Sequence, residues 1–254
     1  MRAYLAFTQK EFLESLRTYK LLIMFMVFLL FGMLGPLTAK LTPQLLEAFV
    51  PEGIQIIMAE PTALDSWAHF FKNISQMGFM VLAILLSGMM ANEHNRGTFV
   101  NILTKGLPRR TVILSKFTAA SVIWTVSYVI CFSLSYVYTA YFWSGEGILN
   151  LPFSVFCLWL FGILLLAVIL LGGVISRNSY GCLMFAGGFI VILFLLNIVP
   201  KFQKYNPLTL VSLNMSLLTG NTVPKDLTAP LIISVAIVIL FIIIAIGVFN
   251  KKQI

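Results

Sequence analysis

Six long apolar stretches of this chain carry no charged side chain: residues 21–39, 73–92, 117–145, 147–176, 178–200 and 227–250. Each offers about the 20 residues that a helix needs to cross a hydrocarbon core about 30 Å thick. Only helices and closed barrels satisfy every backbone hydrogen bond in lipid, and barrel strands alternate apolar with polar residues. The runs here are continuous, so they predict helices. The expected fold is an all-α integral membrane protein, one transmembrane domain over 1–254, with spans near 21–40, 73–92, 117–142, 151–176, 179–200 and 229–250.

The segments between the spans carry their own patterns. In residues 1–20, Leu5, Phe12, Leu16 and Tyr19 fall on one arc at about 100° per residue, with Lys10, Glu14 and Arg17 opposite. That predicts an amphipathic helix lying along the membrane interface. Segment 41–72 is long, acidic and punctuated by Pro43, Pro51 and Pro61. "PTALDSWAHFF" predicts a helix starting near Thr62 or Asp65 and running into the second span. Its Trp67, Phe70 and Phe71 read as an aromatic interfacial anchor. Asp65 and His69 share a face, but one carboxylate and one imidazole are too few ligands for a metal. Segment 201–228 is apolar between Pro207 and Gly220, yet contains Asn214. It reads as a short re-entrant or surface helix at the outer mouth, or as an apolar loop packed on the bundle. Glycine pairs at 172–173 and 187–188 predict close packing of the fourth and fifth spans.

Charge orients the bundle. With both termini cytoplasmic, the inner segments hold twelve basic side chains against three acids, and the outer ones five against six. The net charge of +8 thus follows the positive-inside rule, and no nucleic-acid partner is implied. The first span reads as an uncleaved helix, because its lead-in contains acids and its apolar run exceeds the 7–15 residues of a signal peptide. Cys131, Cys157 and Cys182 fall within spans and read as small packing residues. No charge occupies the middle of a span, which disfavours a proton- or sodium-coupled transporter. No catalytic constellation, P-loop or potassium-filter signature is present. The chain reads as no enzyme, with no cofactor or metal of its own, and any energy source must lie on another subunit.

The polar stretch "ANEHNRGTFVNILTKGLPRR", residues 91–110, stands apart. Glu93 is placed to open a helix, Phe99, Ile102 and Leu103 form a small apolar face, and Gly106 and Pro108 end it. Such a helix suits a groove on a partner; a basic loop on anionic lipid would look the same. The motif resembles the first cytoplasmic loop of bacterial type-2 ABC export permeases. The matching residues are Glu93, Gly97-Thr98, Asn101 to Gly106, Arg109 and Leu114-Ser115-Lys116. Val100 and Pro108 depart from the pattern, and "QKEFLESLRTYK" resembles the family's interfacial helix.

The resemblance implies the six-helix permease fold of that family, in a multi-pass protein of the bacterial plasma membrane. It implies two partners in that membrane: a separate ABC ATP-binding subunit carrying ATP and Mg, and a second permease copy or a sister permease. Residues 93–105, within the loop 93–116, would form the coupling helix, with Glu93, Arg96, Gly97, Thr98, Phe99, Ile102 and Lys105 as the contact set. Cargo would move outward along the second and fifth spans, with Pro207 and Asn214 as outer-gate candidates. An amphipathic or hydrophobic cargo, such as a peptide, antibiotic or lipid-like molecule, suits the apolar lining. The alternatives are a non-transporting assembly or scaffold protein and, behind it, a secondary transporter.

Overall fold

The structure is a computed structural model, and it describes residues 2–49, 60–95, 108–145, 147–176 and 178–251. Among these the chain is helical and has no strand. It comprises α1 (Arg2–Arg17), α2 (Lys20–Phe49), α3 (Ala63–Asn73), a π-helical turn (Ile74–Gly78), α4 (Phe79–Asn95), α5 (Arg109–Phe142), α6 (Leu151–Ile175) and α7 (Ser179–Ile198). The one-turn helices α8 (Pro200–Gln203), α9 (Thr209–Ser212) and α10 (Asn214–Leu218) follow, then a 3-10 turn (Pro224–Leu227) and α11 (Thr228–Lys251). Six stretches are long and apolar enough to cross a membrane: Lys20–Gln44, Ala63–Glu93, Arg109–Phe142, Leu151–Ile175, Ser179–Ile198 and Pro224–Lys251.

Several helices outrun the charge-free windows. α2 passes through Pro36 and Pro43 to Phe49, and the second span begins at Ala63 rather than near 73. Its start is capped as expected: the Thr62 amide and hydroxyl both donate to Asp65 Oδ2 at 2.9 Å. Trp67, Phe70 and Phe71 do not anchor an interface. All three are buried, with Trp67 and Phe70 against Phe132, because α3 is packed against α2 and α5.

α6 is apolar all round, as a helix enclosed by others must be, and 78% of its central window is buried. Its Gly162 admits the indole of Trp124, which is fully buried. Trp124 Nε1 donates to Trp159 O at 3.1 Å, Trp159 Nε1 to Thr125 Oγ1 at 3.0 Å, and Tyr128 OH to Val155 O at 2.8 Å. α5 and α6 are thereby joined by side-chain hydrogen bonds where apolar attraction between helices gives no preference over lipid. α2 meets α5 by a related device. Proline has no N–H, so Pro36 leaves the Gly32 carbonyl without its helical donor, and Ser135 Oγ donates to that carbonyl at 2.9 Å. A Cβ at Gly32 would stand 2.7 Å from Cys131 O, so only glycine permits the approach.

Gly162→Ala is expected to force the Trp124 indole out of place and to destabilise the bundle by about 1–3 kcal/mol, the range for overpacking a filled core. Thermal unfolding of the detergent-solubilised protein measures it. Gly187→Ala, where a Cβ meets nothing within 4 Å, is the matched control and leaves the midpoint unchanged.

Candidate functional site

At the end of the bundle where α1 lies, five ionisable side chains from three helices meet. Lys116, about two turns into α5, is 1% exposed. Its ammonium donates to both oxygens of Glu11, at 3.0 and 2.9 Å, and pairs with Glu93 Oε2 at 3.2 Å. Lys10 bridges the same acids, reaching Glu11 Oε1 at 3.0 Å and Glu14 Oε2 at 2.7 Å, and bonding Glu93 Oε1. The carboxylate oxygens of Glu11, Glu14 and Glu93 lie within 4.8 Å of one another. Alone they would repel; the two ammonium groups between them make the arrangement favourable and supply the charge a metal ion would otherwise bring.

Local chemistry places each partner. On α1, Phe7 and Glu11 face α5, with the Phe7 ring centroid 5.0 Å from Lys10 Nζ and 6.0 Å from Lys116 Nζ. A hydrogen bond of 2.7 Å joins the Tyr4 hydroxyl to Thr118 Oγ1, and Ser115 Oγ donates to Tyr4 O at 3.3 Å. The polar face that the amphipathic pattern assigns opposite the membrane is thus partly turned inward. Leu5, Leu13, Leu16 and Tyr19 stay exposed, an apolar edge suited to the interface. Burial alone would lower the pKa of Lys10, but Glu14, Glu93 and Glu11 carry it above its ordinary value. Burial would raise that of Glu14; the bond from Lys10 and the charges of Lys10, Lys116 and Lys20 together outweigh it and hold the carboxyl below the usual range.

Glu93 needs a correction. It closes α4, in the last turn of a helix reaching Asn95, rather than opening a new helix, because the second span continues through it. Its carboxylate is 3% exposed and engaged within the chain. Arg96, Gly97, Thr98, Phe99, Ile102 and Lys105 lie outside the described residues. Just beyond them Arg109 donates through Nη1 to Phe249 O at 2.7 Å and Asn250 O at 3.1 Å, a cation on the C-terminal carbonyls of α11 where the helix dipole favours one. Segment 94–107 therefore runs between two fixed points, Glu93 and Arg109.

At the opposite end, Asn206 Nδ2 donates to Leu193 O at 2.7 Å while its Oδ1 accepts from the Leu208 amide at 3.0 Å. That turns the chain inward at Pro207. Leu210 and Leu217 then pack with Cys157 and Leu160 of α6, about 9 and 14 Å along that helix from Leu151 at 1.5 Å per residue. The segment dips beside the spans, which fits both a re-entrant helix and an apolar loop packed on the bundle. Asn214 is 1% exposed and donates to Val211 O at 3.0 Å. Asp65 is committed to its cap, and His69 only shares a cavity of about 300 Å³ with it. A Cβ added at Gly172 or Gly173 would stand 3.0 Å from Phe185 or Met90, whereas one at Gly187 or Gly188 would meet nothing within 4 Å.

A sequence-family model described as "ABC-2 family transporter protein" matches residues 5–254. The chain belongs to the ABC-2 transporter family. It is also similar to the uncharacterized transmembrane protein YxlG of Bacillus subtilis (strain 168), at 26% identity over 140 residues, and the match spans 54% of each protein. The chain is thus a multi-pass membrane protein of that family. Within an ABC-2 membrane component, the α1–α4–α5 cluster stands where the segment between the second and third spans begins.

Sequence reasoning missed Lys116 and Glu11, but a signal existed. On a helix starting after Pro108, Lys116 falls in the stripe Val112, Ala119, Ile123, all of which are buried; a lysine inside such a stripe demands acids from elsewhere.

Lys116→Met is expected to strand Glu11 and Glu93 and to destabilise the protein by about 3–5 kcal/mol, the penalty for breaking a buried pair from one side. Lys10→Met, with its side chain 40% exposed, costs about 1 kcal/mol or less. Thermal unfolding in detergent separates the two.

Acid loosens the same contact. The lowered pKa of Glu14 contributes stability above its ordinary value of 4.5 and loses it as pH falls through the native value. The raised pKa of Lys10 contributes fully below 10.5 and fades only above it. Spin labels at Gln9→Cys and Val122→Cys, both exposed positions, should hold one distance between about pH 5 and 10 and broaden below about pH 4.5.

Proposed function

We propose that this chain is the permease subunit of an ATP-driven exporter. Segment 94–107 receives the stroke of a separate ATP-binding subunit, with both termini on the cytoplasmic face of the plasma membrane. The observation that carries the reading is the pair of fixed points flanking that segment. Glu93 is clamped by Lys10 and Lys116, and Arg109 is bonded to the end of α11. A push on the segment then reaches the second, third and sixth spans and α1 together. In this proposal Glu93 positions the segment from within, while Arg96, Gly97, Thr98, Phe99, Ile102 and Lys105 meet the ATPase.

Cargo of amphipathic or hydrophobic character moves outward along a face shared by the second and fifth spans. α4 packs on α7, and Met77, Met80 and Ile84 on one side and Met184 and Val191 on the other are exposed, with Gly187 and Gly188 open between the latter. That face also suits the second permease copy or sister permease. Segment 201–228 covers the outer end, with Pro207 and Asn214 at its turns.

Co-purification through a tag on this chain tests the reading. A stoichiometric ATP-binding subunit is expected, lost when 96–105 is scrambled and retained in Glu93→Gln. In Glu93→Gln, ATPase stimulation in vesicles should fall severalfold. If the intact chain brings down no ATP-binding protein, it acts as a scaffold and the proposal fails.

A further inference from the structure

A cavity of about 500 Å³ opens between the end of α7, α9 and the start of α11, at the end of the bundle away from α1. Its size falls within the range of about 300–1,000 Å³ typical of ligand sites. Polar side chains ring an otherwise apolar lining: Asn197, Gln203, Lys204, Thr209, Ser212 and Asp226 stand around Leu213, Leu227 and Pro230, the last two buried. Among the described residues neither Lys204 nor Asp226 has an ion-pair partner, although both line this one cavity. Gln203 is held by its bond to Asn197 O at 2.8 Å. Asp226 Oδ2 accepts from the Val223 amide at 3.3 Å, which leaves Oδ1 for a ligand.

We infer that this cavity binds the head group of a zwitterionic phospholipid, its phosphate on Lys204 and its primary amine on Asp226. Two opposite charges in one cavity, unpaired with each other, match a ligand carrying both. The site lies where α7 ends and α11 begins, the depth of the head groups. Beside it Ile198, Phe202 and Tyr205 are exposed, an apolar and aromatic edge of the kind that sits at the membrane interface and along which acyl chains can lie. Segment 201–228 carries three lysines against Asp226 alone, so its field favours phosphate. This inference does not depend on ATP coupling or on the direction of transport.

Native mass spectrometry of the full chain tests it, in detergent micelles doped with phosphatidylethanolamine or with phosphatidylglycerol, which lacks the amine. Phosphatidylethanolamine should be retained preferentially, and phosphoethanolamine should compete for it about fivefold better than glycerol phosphate. Asp226→Asn keeps an acceptor for the Val223 amide. It should weaken phosphatidylethanolamine about fivefold, the upper end for an exposed ion pair, and leave phosphatidylglycerol unchanged. Lys204→Gln should weaken both, and Lys204→Arg should restore them. Ser212→Trp, which fills the cavity from an exposed position, should abolish both without touching either charge. Equal retention of the two lipids with no response to Asp226→Asn, or no competition by phosphoethanolamine, overturns the proposal.

Discussion

A lysine ammonium taken out of water has to be met by carboxylates, and the position of Lys116 makes that demand on the whole end of the bundle. Its charge is buried to 1%, where desolvation penalises any ion left alone. The acids that answer come from two other helices, Glu11 on α1 and Glu93 on α4. One side chain therefore fixes the register of α1, the depth at which the second span ends and the angle at which the third begins. Apolar packing would hold these helices together with less discrimination, since a helix sliding in lipid exchanges one apolar neighbour for another. Ion pairs at about 3 Å do not slide.

The middle of the bundle obeys a different constraint. There the helices compete with lipid for the same dispersion contacts, and close approach and hydrogen bonding decide which surfaces meet. Gly32 beside Cys131, Gly162 under Trp124 and Gly173 against Met90 supply the approach. Ser135, Tyr128 and the two tryptophans supply the bonds, three of the four donating to main-chain carbonyls of the facing helix. The Pro36 break in α2 belongs to the same scheme, because the carbonyl it frees is the one Ser135 uses.

The fold was largely legible because length and continuity of apolar runs are local properties. Six apolar, charge-free windows became six spans, and a helix start near Thr62 or Asp65 was foreseen. What failed was any inference about where a polar residue points. Trp67, Phe70 and Phe71 read as an interface anchor because aromatic residues beside a lysine usually are one; burial against α2 and α5 is a tertiary fact. Lys10 and Glu14 read as solvent-facing because an amphipathic arc assigns its polar side to water, with no knowledge that another helix buries a lysine there. Charge windows also end at Lys116 and Glu93 by construction, which hid that the helices pass through both. Of the proposed contact set only Glu93 falls within the described residues, and there its carboxylate faces inward.

These two regimes divide the molecule along its axis. Ionic contacts are strong only where geometry is kept, and dispersion contacts tolerate small rotations better than they tolerate separation. A displacement applied near Glu93 or Arg109 meets a rigid joint, so it passes into the helices instead of being absorbed locally. Further along, the α2–α5 and α5–α6 contacts carry neutral hydrogen bonds and close glycine approaches, with no ion pair among the described residues. In the proposed coupling, force would enter at the stiffer, ionic end, and the absence of charge at mid-depth would leave the helices there freer to tilt.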